Sequence, residues 1–532
     1  MSWNYLKFAG LWLVLISFSF PLQAQTELDA FRHAQYGSFG TARALGMGGA
    51  YSAVGADISS ATLNPAGLGV YRSSSLVFSP SLTLVNTTTS FLDGEERANS
   101  TDFRMPSWGM VFHNPQYYDD GRTLQEVERG LKSFVFSFGH NQLENYRRNI
   151  AVEGYNTESS ISDAFAWRAN QAAAPWFQLD GNSRAGLAFN TFVIDTLLGF
   201  DNQYFPAVNG GDIQQRIELE ESGRRNEWFI SLAGNWSDFI YIGGTVGIQS
   251  VNYEQTFRFR EDDINNVHQG LQPNPAFALE SPMNQIRFED NFSTTGTGIN
   301  GKFGVIIRPF DQLRLGASVQ SPTFFTLVDQ FSSNLAQNYS ITLANGSEGT
   351  EESVSETTPG QYRYSLRTPY KVTIGGMYLL GKTGFLTADV DFTDYSSSRL
   401  SASDYGFDVE NDNVRAQFQQ VVSVRVGGEF RSGIFRLRLG AAVFGDPLTE
   451  EGRRYLSAED FTTVNEISGE RTILSAGIGI RQPNYFLDVS FINQRQTDKF
   501  NPYTAGTTDI FLPTAVINTQ KNALTATVGF NF

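Results

Sequence analysis

The 532-residue chain has no cysteine and only four histidines. The lack of cysteine excludes disulfide-stapled domains, thiolate zinc sites, iron–sulfur clusters and thiol nucleophiles. Basic residues are also scarce, because 39 Lys and Arg stand against 55 Asp and Glu and give a net charge of −16. This balance argues against nucleic-acid binding. We therefore predict no cofactor, no metal site and no nucleic-acid partner.

Long hydrophobic runs are missing as well, apart from one near the N-terminus. Residues 8–20 form an apolar stretch of 13 residues, preceded by Lys7 and followed by Ala24. A membrane-spanning helix needs roughly 20 apolar residues. We therefore interpret residues 1–24 as a signal peptide and expect an exported protein without a helical anchor.

Apolar and polar residues alternate in many segments from about residue 74 to the C-terminus, as in residues 521–532. Fourteen such segments alternate between tight turns and long polar loops, the layout of a barrel with one rim in the periplasm. The largest loop covers residues 143–225, and others are expected at 256–288, 321–361, 394–414, 446–468 and 496–520. The pattern predicts an all-β, transmembrane antiparallel β-barrel of about 14 strands over residues 73–532. A soluble all-β protein, such as a propeller or tandem sandwiches, is the alternative.

Residues 25–72 differ from the rest, since they are rich in glycine and alanine and do not alternate. A segment so poor in large apolar side chains cannot build its own core. We therefore expect this segment to fill the barrel lumen as a plug, or hatch. Within it, Asn64 could adopt the left-handed conformation and cap a turn, while Pro65 fixes φ. Gly48 and Gly49 would permit close backbone approach.

Several motifs resemble the FadL/TodX family of outer-membrane hydrocarbon and long-chain fatty-acid transporters. They are residues 301–322, the terminal Phe532, and the plug residues Arg43, Met47, Gly48, Gly49, Ala50, Ala53, Asp57, Asn64, Pro65, Ala66, Gly67 and Leu68. The resemblance implies a hatch inside a fourteen-strand barrel, which agrees with the strand count. It also implies that Phe532 is read by the barrel assembly machinery.

Two further groups of side chains are candidates for ligand contact. The first group contains charges expected to face the lumen, the cations being Arg314, Arg425, Arg436 and Arg438. Together with inward acids they would pack the plug, or a subset would bind a carboxylate head group. The second group is aromatic and lies in the largest loop: Phe165, Trp167, Trp176 and Phe177. These residues would form either an apolar platform that collects ligand or the core of the loop itself.

Catalysis is not expected. Ser137 and His140 lie on one predicted strand, but at this spacing their side chains point to opposite faces. The family resemblance implies, as the first hypothesis, a passive transporter of hydrophobic small molecules, such as long-chain fatty acids or hydrocarbons, in the outer membrane of a Gram-negative bacterium. The second is a barrel of the same family that carries a partner protein in secretion and binds it through the large loops. Outer-membrane lipid and lipopolysaccharide would surround either one.

Overall fold

The computed structural model describes residues 27–119, 124–197, 199–208, 211–268, 283–342, 347–450, 452, 466–467, 470–503 and 513–532. The signal peptide predicted for residues 1–24 lies outside the described residues. Within the described ranges, no helix is both long and apolar enough to cross a membrane.

Fourteen antiparallel strands form a closed barrel, and this confirms the predicted fold class. Closure is made by the first and last strands, which pair from Ser75 with Asn531 to Phe91 with Ala515. The strands are β1 Ser75–Phe91, β2 Gly94–Pro115, β3 Leu131–Asn145 with Arg148–Asn156, β4 Ile213–Trp236, β5 Ile240–Asp262, β6 Met283–Phe310, β7 Leu313–Gln320 with Phe324–Thr342, β8 Gly360–Arg367 with Lys371–Leu379, β9 Gly384–Asp394 with Arg399–Ser401, β10 Gln420–Ser432, β11 Phe435–Phe444, β12 Arg471–Arg481, β13 Tyr485–Phe500 and β14 Ala515–Asn531.

The remaining elements are short. The α-helices are α1 Glu27–Arg32, α2 Ala42–Leu45, α3 Ser60–Leu63, α4 Ile161–Ala172, α5 Arg184–Asn190 and α6 Asp408–Gln417, and 3-10 turns cover Pro65–Val70, Trp176–Gln178 and Tyr395–Ser397. Two small hairpins pair Tyr117–Asp119 with Leu124–Glu126 and Ile194–Leu197 with Phe200–Pro206. Glu348–Glu356 pairs with the second part of β7, and Glu466–Ile467 pairs with β13.

The lower part of the barrel wall is apolar outside and polar inside. On β5, Ile242, Val246 and Ile248 are about half exposed on the outer face, while Thr245 and Gln249 are buried on the inner face. Because successive strand residues point to opposite faces, this alternation places an apolar band where lipid would lie.

Higher up the barrel the alternation is reversed, and here the predicted loop boundaries are wrong. Phe257 and Phe259 are buried inside the barrel, whereas Arg258 and Arg260 lie on the outer face. Strands therefore continue through much of the loops predicted at 256–288, 321–361 and 496–520, and two strands enter the 143–225 region. Strand β10 begins at Gln420, after helix α6, rather than near residue 415. The sequence pattern failed at the level where water replaces lipid, because there the outward side chains become polar.

The upper barrel is filled by residues 157–208, which we call the cap. Its helices α4 and α5 bury their apolar faces against inward side chains of at least six strands. Phe165 of α4, for example, meets Phe288 of β6 edge to face, with ring centroids 5.7 Å apart. The largest predicted loop is therefore in good part an internal cap with an apolar core that includes the barrel wall.

Candidate functional site

Residues 27–71 lie inside the lower barrel and form the plug. On one side Gly243 and Gly304 of the wall face Pro65 and Asn64, and on another side Gly440 faces Met47. The backbone amide of Ala42 donates to Thr527 Oγ1 of β14 at 2.7 Å. The wall uses glycine at these points because a side chain there would occupy the space of the plug backbone.

A buried charge cluster centred on Glu429 of β10 ties the plug to the wall. Glu429 Oε2 accepts from Arg43 Nε of the plug at 3.0 Å and from Arg438 Nε of β11 at 2.7 Å. Arg438 is fully buried, and its Nη1 donates to Asp488 Oδ1 at 2.7 Å. One carboxylate therefore holds one cation from the plug and one from the wall.

A second cluster binds the plug backbone through Asp389 of β9. Asp389 Oδ2 accepts from the backbone amides of Tyr51 and Ser52 at 2.8 and 2.9 Å. The neighbouring Asp391 accepts from Arg425 Nη2 at 2.6 Å, and this guanidinium lies 3.6 Å from Asp389. Arg425 thus pairs with wall carboxylates and gives them a counter-charge inside the lumen.

The other two predicted lumen cations have backbone partners. Arg314 Nη1 donates to the carbonyl of Val54 in the plug at 2.9 Å. Arg436 has the inward orientation of Arg438 but lies at the rim, where it donates to the carbonyls of Gly433 and Phe435 at 2.8 Å. Of the four cations, Arg314 therefore bonds to the plug, Arg425 and Arg438 pair with wall carboxylates that also bond to it, and Arg436 has no hydrogen bond or ion pair to the plug among the described residues.

The Asn64–Pro65 pair starts the 3-10 turn Pro65–Val70. Asn64 Oδ1 caps this turn by accepting from the Ala66 amide at 3.1 Å, and its Nδ2 donates to the carbonyl of Val305 of β6 at 3.3 Å. The expected left-handed conformation is wrong, because Asn64 has φ −152° and ψ 103°. An extended residue is what an N-cap requires, since only then does its side chain reach back over the first turn.

The remaining motif residues shape the plug itself. Asp57 accepts from Thr41 Oγ1 at 2.8 Å and from the Ser59 amide at 2.9 Å. Gly48 has φ +65°, and a Cβ there would lie 2.9 Å from the backbone of Ala441, so this position requires glycine. Gly49 also has positive φ, Met47 and Ala66 are fully buried, and a Cβ on Gly67 would meet Ser60 Oγ at 2.6 Å.

The plug contact can be tested with two adjacent glycines of β5. In the variant Gly243→Ala the new methyl group would lie 2.4 Å from the Pro65 backbone, whereas in Gly244→Ala its nearest neighbour would be 3.7 Å away. Overpacking of this kind costs about 1–3 kcal/mol. We expect Gly243→Ala to lower the temperature of the heat-modifiable gel shift and Gly244→Ala to leave it unchanged. Equal shifts would contradict the close plug contact.

A seam lies between β2 and β3. Their ladder runs from Pro115 with Ser133 up to Ser107 with Asn141, and the described residues of the two strands show no pairing above that point. Above it, side chains join the hairpin of β1 and β2 to β3: Asn145 Nδ2 donates to Asp102 Oδ2 at 3.5 Å, Thr87 Oγ1 donates to the carbonyl of Asn149, and the Tyr155 amide donates to Asp93 Oδ1 at 2.8 Å near the tip. Between Ser107 and Asp93, no backbone-to-backbone hydrogen bond joins the described residues of β2 to β3.

Two prolines mark the lower end of the seam. On one side of an irregularity Ser79 pairs with Ser107, and on the other side Ser81 pairs with Arg104. Two residues of β2, Met105 and Pro106, therefore lie opposite the single residue Pro80 of β1. Proline has no amide hydrogen to give to a neighbouring strand, and a bulge bends the strand that carries it. The bulge therefore turns β2 away from β3 at this point. Phe103 and Met105 are exposed on the outer face there.

A cavity of about 80 Å³ lies in the lumen behind the seam. Its apolar lining comes from Phe39, Leu45, Pro106, Ile492 and Ala523, and its polar lining includes Ser81, Thr83, Arg104, Gln142, Glu144, Gln494 and Lys521. Plug residues 37–40 form one side of it, and the Gly37 amide donates to the carbonyl of Leu143 at 2.9 Å. A cavity of about 150 Å³ holds benzene. A ligand of that size therefore has to displace part of residues 37–40.

Neither a family model nor a curated protein matches the chain. Three solved structures are similar in fold. A FadL homologue from Pseudomonas aeruginosa is 13% identical, with 93% of this chain and 99% of that chain covered and a TM-score of 0.49. The toluene transporter TodX from P. putida is 11% identical, with 94% and 99% covered and a TM-score of 0.48. The toluene transporter TbuX from Ralstonia pickettii is 13% identical, with 92% and 98% covered and a TM-score of 0.46.

The likeness is one of fold.

The predicted aromatic platform divides into two parts. Phe165 is fully buried in the core of the cap, and Trp167 packs against that core. Trp176 and Phe177 are 46% and 61% exposed, and their rings meet edge to face with centroids 5.6 Å apart. Of the four residues predicted for the platform, only Trp176 and Phe177 are therefore exposed.

Several site residues were not predicted from the sequence. Glu227 of β4 is fully buried and binds Lys302 Nζ at 2.6 Å and Thr62 Oγ1 of the plug at 3.0 Å. The sequence offered one signal for this residue: Glu227 directly precedes Trp228, which faces outward, so the side chain of Glu227 has to face the lumen. The seam was missed too, although Pro80 and Pro106 within two strand patterns were a sign of a bulge.

Proposed function

We propose that this chain is an outer-membrane channel through which hydrophobic small molecules, such as hydrocarbons or long-chain fatty acids, diffuse. The observation that carries the proposal is the cavity behind the seam. It has apolar walls, and the seam beside it lies at the level of the outward apolar side chains Leu82 and Phe103. A molecule in the cavity could leave sideways between β2 and β3 into lipid without crossing the plug.

The plugged lumen supports a path of this kind. The plug residues Arg43 and Ser52 are fixed by Glu429 and Asp389, and such buried pairs are costly to break. A straight aqueous path through the lower barrel would require all these contacts to be lost. Displacing residues 37–40 involves fewer contacts. We expect ligand first to adsorb to Trp176 and Phe177 and then to pass the cap.

The cavity can be tested by filling it from the wall. Thr83 of β1 lines the cavity, while the next residue, Leu84, is 43% exposed on the outer face. Overfilling a packed site costs about 1–3 kcal/mol, which corresponds to a roughly five- to 150-fold lower occupancy. We expect Thr83→Trp to lower the uptake of labelled oleate or toluene by such a factor in cells without another uptake route.

Leu84→Trp is the matched control, because it adds the same side chain on the lipid side. Both variants must show wild-type amounts of heat-modifiable barrel in the membrane. If Thr83→Trp takes up both compounds at the wild-type rate, the cavity is not on the path. Comparison of oleate with toluene then tells whether the carboxylate matters.

A further inference from the structure

The cap is joined to the barrel wall by a buried polar cluster as well as by its apolar core. Helix α4 of the cap begins after Ser160, and Glu261 near the upper end of β5 lies at this helix start. Glu261 is fully buried, although its neighbours are the apolar side chains of the cap core. A buried carboxylate has to be satisfied by its surroundings, so its partners show what it holds together.

Three donors from two elements converge on this carboxylate. Glu261 accepts from Ser160 Oγ at 2.5 Å, from the Ile161 amide at 2.8 Å and from Gln215 Nε2 at 2.7 Å. Ser160 and Ile161 belong to the cap, and Gln215 belongs to β4. A single side chain of the wall therefore joins the cap to two neighbouring strands.

Tyr503, which follows β13, completes the cluster. Its hydroxyl accepts from Asn156 Nδ2 and from Gln215 Nε2, both at 2.9 Å, and bonds with Ser159 Oγ at 2.8 Å. The cluster of Glu261, Gln215, Tyr503 and Ser160 thus links the cap to β3, β4, β5 and the end of β13. We call these four residues the latch.

No described cation lies within ion-pair distance of Glu261, and of the titratable groups around it Asp163 and Tyr503 are acids and His268 is a base. Asp163 of α4 caps the Ser160 amide at 2.9 Å, Tyr503 lies on the wall side, and His268 lies near Asp163. Burial is the main cause that raises the pKa of Glu261 to about 7, and Asp163 adds to it. Burial likewise raises the pKa of Asp163 to about 6, and that of Tyr503 is raised as well.

We propose that the latch holds the cap in the mouth of the barrel and that the proton on Glu261 regulates how readily the cap opens. This inference rests on the proposed function in one respect, namely that a ligand entering from outside has to pass the cap. In the open cap Glu261 meets water and has its ordinary affinity for a proton, whereas in the closed cap it binds the proton more tightly.

Opening is therefore expected to depend on pH in a defined direction. Because the pKa of Glu261 is raised in the closed state, the proton stabilises closure fully below pH 4.5, and this stabilisation is lost as the pH rises to about 7. One proton is involved, so the opening equilibrium should rise about tenfold for each pH unit between roughly 5 and 7 and then level off. Acid closes the cap and neutral pH loosens it.

Hydrogen exchange of α4 in the purified full chain tests this directly. The matched variants are Glu261→Gln, which keeps a neutral hydrogen-bonding side chain, and Asp262→Asn, which changes the next residue on the outer face. Dividing the exchange rate of each variant by that of the wild type at the same pH removes the intrinsic effect of pH on exchange. We expect a ratio near one at pH 4 for both variants, because there Glu261 of the wild type is protonated in both states. At pH 7.5 it should fall at least tenfold for Glu261→Gln and stay near one for Asp262→Asn.

A ratio for Glu261→Gln that is the same at both pH values, or that rises above one at pH 7.5, would overturn the proposal. Uptake of oleate and toluene at the two pH values separates this inference from the proposed function. If exchange follows Glu261 but uptake does not change, the latch is real and the entry path leads elsewhere.

Discussion

Replacing Glu429 by alanine is expected to detach the plug from the barrel wall. The substitution leaves Arg43 without an ion pair among the described residues and removes one of the two carboxylates that hold Arg438. Removing one partner of a buried ion pair costs about 3–5 kcal/mol, because the remaining charge stays buried without compensation. We expect the barrel to stay folded, since its backbone ladder does not depend on Glu429. The plug should become sensitive to protease from the periplasmic side.

The control for this experiment is Arg436→Ala. Arg436 lies near Arg438 on the same face of β11, but its side-chain partners are carbonyls at the rim. We expect Arg436→Ala to keep wild-type protease resistance. Protease resistance of Glu429→Ala equal to that of the wild type would mean that the plug is held by its other contacts, chiefly those of Asp389 and Glu227.

A second large effect is expected when both internal obstructions are removed. The plug, residues 27–71, fills the lower barrel, and the cap fills the upper part. Deleting the plug alone leaves the cap in place, so the ion conductance in planar bilayers should stay low. Deleting both should give a wide, nonselective pore, as in large barrels without a plug.

The chain offers a simple way to remove the cap. Asn156 of β3 pairs directly with Ile213 of β4, so an Asn-Gly turn can replace residues 157–212 and close a two-residue hairpin. The cap deletion alone should also conduct poorly, because the plug remains. If deletion of the plug alone opens the barrel as widely as the double deletion, the cap does not seal the mouth and its role as a gate has to be abandoned.

Much of the architecture was predictable because it depends on local sequence. A transmembrane strand must alternate in polarity with a period of two, so Leu524, Val528 and Phe530 identify β14 without any knowledge of its neighbours. The plug was predictable for a similar reason, since a glycine- and alanine-rich segment needs a surrounding wall. The turn at Asn64 and Pro65 follows from the chemistry of two adjacent residues.

The prediction was poorer where the environment changes along one strand. On β5 the apolar face moves from outside at Ile248 to inside at Phe257. A pattern that reverses within one strand looks like the end of that strand. The region of the cap was predicted as an external loop because the strands on either side of it also seemed to end where their polarity reverses. Its apolar residues in fact point into the barrel.

Other features were decided only by the tertiary structure. Glu429 meets Arg43 across 386 positions of sequence, and Glu261 meets Ile161 across 100. Such pairs depend on how fourteen strands are staggered and on how deep the plug and the cap sit, and neither is set by local periodicity. The seam has the same origin, because β2 leaves β3 where a bulge against β1 changes its direction. The sequence by itself therefore determined that this chain forms a plugged barrel, while long-range register decided where the barrel is held shut and where its wall is weakest.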